Sequence, residues 1–189
     1  LHYGSDLIVR NNIFAFAMDG QLQRVPAEIW NRAIQGRIWF ENNIIYWQNG
    51  DLYYGDNWNS WNDENVLSSK NIYWNTSGQN IEFDDSLNLA QIQKFGRENN
   101  SIKTDPCFVD AEHFDFNLKP NSPAIALGFK PFDYKKAGLY GDSQWGALAN
   151  DYIYPKVEFT PEPPAGNPIV VDEDFESVPL GSIPDNLKA

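Results

Sequence analysis

Apolar residues along this chain fall in short runs broken by Asn, Gly and Asp, and the runs recur. Asp6-Leu7-Ile8-Val9-Arg10 leads into Asn11-Asn12-Ile13, Arg37-Ile38-Trp39-Phe40-Glu41 into Asn42-Asn43-Ile44, and Ser68-Ser69 into Lys70-Asn71-Ile72. β-branched and aromatic residues dominate, with polar residues interleaved, which predicts strands. Ile13 to Ile44 spans 31 residues and Ile44 to Ile72 spans 28, within the roughly 20–50-residue period of solenoids, propellers or arrays. Parallel strands about 4.8 Å apart, one per coil, would stack the three Ile side chains in a row inside and align Asn12, Asn43 and Asn71 beside them. Asn suits a coil corner because its amide can bond both to its own backbone and to the Asn of the next coil. The plainer alternative is a set of Asn-rich turns in an ordinary β-sandwich; a βαβ pattern is absent.

The strand pattern breaks at 86–96. Ser86 can cap a helix, Leu89, Ile92 and Phe95 share one face, and Gly96 supplies a stop, which predicts a short helix lying over the solenoid as a lateral flap. Alternation resumes with Phe114, Phe116 and Leu118 against Asp115, Asn117 and Lys119, and Pro120 and Pro123 bracket a turn expected to close the stack. From Pro155 the chain turns Pro-rich, with Pro161, Pro163, Pro164, Gly166 and Pro168, the mark of a semi-rigid extended linker. The expected organisation is therefore a solenoid over 1–154, a linker over 155–168 and a further segment over 169–189. Opening at Leu1 almost inside the first coil and stopping at Ala189 without a closing element, the chain reads as a fragment whose first strand edges upstream coils would cover.

Asn11-Asn12-Ile13-Phe14-Ala15-Phe16, Phe40-Glu41-Asn42-Asn43-Ile44-Ile45-Tyr46 and Asn71-Ile72-Tyr73-Trp74 carry a family resemblance. So do Thr104-Asp105-Pro106-Cys107-Phe108-Val109-Asp110 and Asp115-Phe116-Asn117-Leu118-Lys119-Pro120 with Asn121-Ser122-Pro123-Ala124. Over residues 2–142 the chain resembles the C-terminal coils of right-handed parallel β-helix proteins of the pectate-lyase-like type, among them many bacterial polysaccharide-degrading enzymes. The resemblance implies an all-β, right-handed parallel β-helix solenoid and a secreted, periplasmic or cell-surface protein that meets polysaccharide or oligosaccharide. Residues 169–181, from Ile169-Val170-Val171 to Leu180-Gly181, resemble the opening strand of the lectin-like β-sandwich modules attached to such enzymes. The segment is too short to bury a core of its own.

Charge narrows the partners. With 26 acidic against 14 basic residues the net charge is −12, so the surface repels phosphate backbones and nucleic acid is not an expected partner. No apolar run is long enough to span a membrane. Aromatic residues at 15% and charged residues at 21% belong to a folded chain. The single Cys107 excludes an intrachain disulfide, and the full-length protein is expected to be monomeric.

Carbohydrate enzymes need carboxylates or a charged base at the glycosidic oxygen and flat aromatic faces for sugar rings. Trp47, Trp58, Trp61 and Trp74 lie close together with Tyr53 and Tyr54, and Gly55 to Asn65 is the best candidate for a loop leaving the coil. Asp56, Tyr54, Trp58 and Trp61 are the expected sugar contacts, the alternative being that these Trp residues pack between coils. On the loop-bearing side of successive coils, as the resemblance implies, His2 and Glu28 could face one substrate as acid and base; their plain reading is a terminal His and a surface Glu. The same loop has oxygens suited to Ca²⁺ but not the spacing of an EF-hand. No cofactor or metal is expected, although the resemblance admits a Ca²⁺ that neutralises a uronate. Three functions stay open: a glycoside hydrolase or polysaccharide lyase, a non-catalytic carbohydrate-binding or adhesin-type solenoid, and a cap for coils whose active site lies elsewhere.

Overall fold

The computed structural model describes residues 6–24, 37–55, 61–62, 64–84, 86–136, 143–150, 153 and 155–159. All lie in the unit Leu1–Phe159, the first of two into which the chain divides. Its strands come in successive passes: β1 (Leu7–Arg10), β2 (Ile13–Ala15) and β3 (Gly20–Leu22), then β4 (Ile38–Glu41), β5 (Ile44–Trp47) and β6 (Asp51–Tyr53). β7 (Val66–Ser69) and β8 (Ile72–Asn75) make the third pass, and β9 (Ile102–Lys103) starts a fourth. Like strands pair with like across the passes, giving parallel sheets β1-β4-β7, β2-β5-β8-β9 and β3-β6. The register is that of the repeat: Leu7 opposite Ile38 opposite Val66, and Ile13 opposite Ile44 opposite Ile72 opposite Ile102. The molecule is thus mostly β, with parallel sheets compatible with an all-β solenoid.

The Asn-Asn doublets divide the labour of the corner between the first and second sheets. Their first residue takes the left-handed conformation, at φ 58° for Asn11 and 53° for Asn42, as do Lys70 at 53° and Asn100 at 62° in the later passes. Asn tolerates that region better than most residues with a Cβ. The second residue builds a ladder. Asn12 donates from N and Nδ2 to Asn43 Oδ1, both at 3.0 Å, and Asn43 donates likewise to Asn71 Oδ1 at 2.9 and 3.2 Å. In the fourth pass Ser101 replaces Asn, and its Oγ accepts from Asn71 N at 2.9 Å.

The Ile row does not face the interior. Ile44 and Ile72 pack with Phe108, Ala111, Ala124 and Phe129, flanked by Ile13 and Ile102. Ile45, Trp47 and Tyr73 instead join Ile38, Phe40, Leu52, Tyr53 and Val66 in a separate core, with Phe14 against it. The second sheet is therefore buried on both faces, by the other sheets on one side and by the segment after β9 on the other. Ile44 and Ile45 are both fully buried, which erases the alternation of a one-sided strand. The covering segment contains the antiparallel pair β10 (Phe108–Asp110) and β11 (Asp115–Leu118).

The predicted lateral flap is also revised. Helix α1 spans Leu89–Lys94 and is capped by Asn88, not Ser86: Asn88 Oδ1 accepts from Gln91 N while Gln91 Oε1 accepts from Asn88 N. Such a reciprocal box satisfies two orphan donors of the first turn. Ile92 enters the inner core with Ile81 and Phe83, whereas Phe95 is 71% exposed. The segment fills the interior of the stack instead of lying beside it, so Leu89, Ile92 and Phe95 do not share one buried face. Pro123, expected in a turn, occupies the first turn of helix α2 (Pro123–Leu127), capped by Ser122 and ended by Gly128 at φ 104°. A last helix, α3, spans Ser143–Asn150.

Candidate binding surface

Side chains alternate across a strand, so the first sheet, with Ile38, Phe40 and Val66 in the core, turns the alternate positions outward. Ile8, Trp39 and Leu67 align in register as an apolar row, 61% exposed at Ile8 and 40% at Leu67. Beside it Arg10, Glu41, Ser69 and Asn99 align as a polar row. Trp39, Glu41, Leu67 and Ser69 form one wall and floor of an open groove of about 420 Å³, bounded also by Glu64, Phe95 and Arg97. Two aromatic side chains, two carboxylates and a guanidinium thus share one concave surface.

Under this groove lies a buried carboxylate. Glu98 sits between Arg97 and Asn99 at φ 49°, and its side chain turns inward. Oε1 accepts from Tyr73 Oη at 2.9 Å, and Oε2 accepts from Ser101 Oγ at 2.7 Å and Asn71 Nδ2 at 3.4 Å. Burial raises the Glu98 pKa above its ordinary value, while hydrogen bonds from Ser101, Ser68, Tyr73 and Asn71 pull it down. The phenols of Tyr73 and Tyr53 are raised well above theirs, first by burial and next by Glu98. Enclosed in this way, Glu98 anchors the end of the Asn ladder and does not reach a ligand.

A second polar cluster lies on the covering segment. His113 Nδ1 is 2.8 Å from Asp110 Oδ2, both side chains about half exposed, and Lys156 Nζ is 2.7 Å from Glu112 Oε2. Burial, then Asp105 and Glu112, raise the pKa of nearby Tyr46. No group of three potential metal ligands occurs among the described residues.

The residues expected from sequence are placed unevenly. His2, Glu28, Asp56 and Trp58 lie outside the described residues, as do 169–189 and most of the linker. Trp61 is a core side chain, only 2% exposed, with its ring centroid 5.0 Å from that of Phe40 and 5.9 Å from that of Tyr53. Its faces are occupied by other rings, so it offers no sugar platform. Tyr54 is half exposed just after β6, in the third-sheet pass, and its N–H donates to Leu22 O. Trp47 is buried in the inner core. Trp39, the aromatic wall of the groove, was legible in principle: the 31- and 28-residue spacings that align the Ile row also align Ile8, Trp39 and Leu67. Phe95 and Arg97 follow a helix of unpredictable path and gave no comparable signal. Comparison with protein-family models, curated proteins and solved structures finds no match.

Proposed function

We propose that these passes belong to a right-handed parallel β-helix of the pectate-lyase-like type, in a secreted bacterial protein, and that the outer groove of the first sheet binds an extended polysaccharide. The observation that supports this reading is the in-register pairing of an apolar row, Ile8-Trp39-Leu67, with a polar row, Arg10-Glu41-Ser69-Asn99. Sugars present an apolar ring face and a rim of hydroxyls, and a row of each kind running across the coils is suited to both. Strands about 4.8 Å apart repeat that pairing along the stack, which favours a chain-like ligand over a compact one. Any glycosidic chemistry here, hydrolysis or elimination, would fall to Glu41 and Glu64, both of which line the groove. A two-carboxylate hydrolase would hold them about 5–10 Å apart across the bond.

Affinity electrophoresis through gels containing plant or algal polysaccharides tests the reading. Retardation by at least one neutral or uronate polymer is expected, with affinity falling about tenfold or more in Trp39→Ala. Tyr54→Ala, outside the groove, should migrate as the parent does. A Trp39→Ala protein retarded like the parent would sink this assignment of the surface. Release of reducing ends or of unsaturated products, abolished by Glu41→Gln or Glu64→Gln, would add catalysis to binding.

A further inference from the structure

The polar ladder has a direction. Each Asn donates toward the next pass, from Asn12 to Asn43 to Asn71, then to Ser101 Oγ, which donates to Glu98 Oε2. The relay thus ends on a carboxylate that only accepts. At its other end Asn12 donates through N and Nδ2, but among the described residues its Oδ1 receives nothing. Asn43 and Asn71 Oδ1 each receive two donors.

The strands at that end carry the same asymmetry. Leu7 and Asn11 direct their N–H groups to the second pass, at Arg37 O and Asn42 O. By the alternation of a parallel ladder Ile8 and Arg10 then direct theirs outward, and among the described residues β1, β2 and β3 each have a single strand neighbour. Leu7, Val9, Ile13 and Phe14 are half-buried, whereas their register partners Ile38, Phe40, Ile44 and Ile45 are at most 4% exposed. The far end is finished differently. β9 is two residues long and carries Lys103, and Ile92 of α1 fills the core, devices that blunt an edge.

We infer that the edge formed by β1 and β2 is an interaction surface for one further polypeptide coil of the same repeat, laid parallel and in register, whose corner Asn donates N–H and Nδ2 to Asn12 Oδ1. The interface already present between the passes continues onto this edge, with a matching acceptor and half-covered apolar positions. A second copy of this molecule does not fit the role. Its far end is blunted, and two copies meeting through β1 would run antiparallel, setting acceptor against acceptor at Asn12.

The probe is a peptide of the second corner, residues 37–47, with a solubilising lysine tail, followed by amide hydrogen exchange of the whole protein. Slower exchange over residues 7–15 is expected, saturating with peptide, and a peptide carrying Ala in place of Asn43, whose N–H still reaches Asn12 Oδ1 but which lacks the Nδ2 bond, should bind about threefold to tenfold more weakly. Equal protection by both peptides would reduce the effect to unspecific strand addition and overturn the inference, as would no protection at all. Protection of 7–15 without peptide, in a dimer seen by sedimentation, would assign the edge to a second copy and overturn it too.

Discussion

Truncating Asn71 to Ala tests whether the ladder holds the passes together. Asn71 is fully buried; its Oδ1 accepts both the N–H and the Nδ2 of Asn43, and its Nδ2 donates to Phe40 O and Ser68 Oγ at 3.0 Å each. Removing the amide leaves Asn43 N–H enclosed without an acceptor, a desolvation cost of about 1–3 kcal/mol, and forfeits further bonds worth about 0.5–1.5 kcal/mol each. These terms share partners and do not simply add, so the expected loss is about 3–5 kcal/mol. Asn12→Ala sets the contrast. Asn12 is half-buried, its own N–H still reaches Asn43 Oδ1, and its Oδ1 has no donor to strand among the described residues, so about 1 kcal/mol is expected. Urea unfolding followed by circular dichroism reads both: with a slope of about 2 kcal/mol per molar, Asn71→Ala should lower the midpoint by about 2 M and Asn12→Ala by about 0.5 M. Equal costs for the two variants, or a loss below about 1 kcal/mol for Asn71→Ala, would refute the ladder as a stabilising element.

Lys70 holds the left-handed corner that Asn occupies at 11, 42 and 100, so Lys70→Asn should stabilise by about 0.5–1 kcal/mol and raise Tm by about 1–4 °C in a calorimetric scan. For Glu98 the folded pKa is raised above its unfolded value; the folded state therefore binds the proton more tightly, and stability is greatest below the unfolded pKa and declines as pH rises through the folded one. Glu98→Gln should flatten that decline in urea titrations run across the acid to neutral range, and an unchanged slope would show that Glu98 does not cause it. Trp61 Nε1 is buried without a partner among the described residues, so Trp61→Phe should cost far less than the about 3–5 kcal/mol of Trp61→Ala, because it removes that donor while retaining an aromatic ring against Phe40.

The repeat, its strands and its parallel register were legible without coordinates. A corner that must bend the chain and satisfy its own amide leaves a local signature, and Asn11-Asn12, Asn42-Asn43 and Lys70-Asn71 recur at spacings set by one turn of the stack. The fourth pass lacks that signature because Ser101 replaces the ladder Asn, although its hydroxyl accepts the same kind of bond. Which face of the second sheet is the interior was not legible. Ile44 and Ile45 are equally apolar, and only the docking of Phe108, Ala111, Ala124 and Phe129 decides that one row faces that segment and the other the core. The same holds for Trp61 and Trp39. Trp61 was the expected platform and Trp39 was not, because burial depends on neighbours distant in the chain: Phe40 and Tyr53 enclose Trp61, while Phe95 and Arg97 bound the groove beside Trp39. Glu98 makes the point most sharply, since nothing in Arg97-Glu98-Asn99 distinguishes it from a surface carboxylate. Local periodicity is a property of consecutive residues and can be read from them, whereas desolvation and exposure are set by the layers that assemble around each strand.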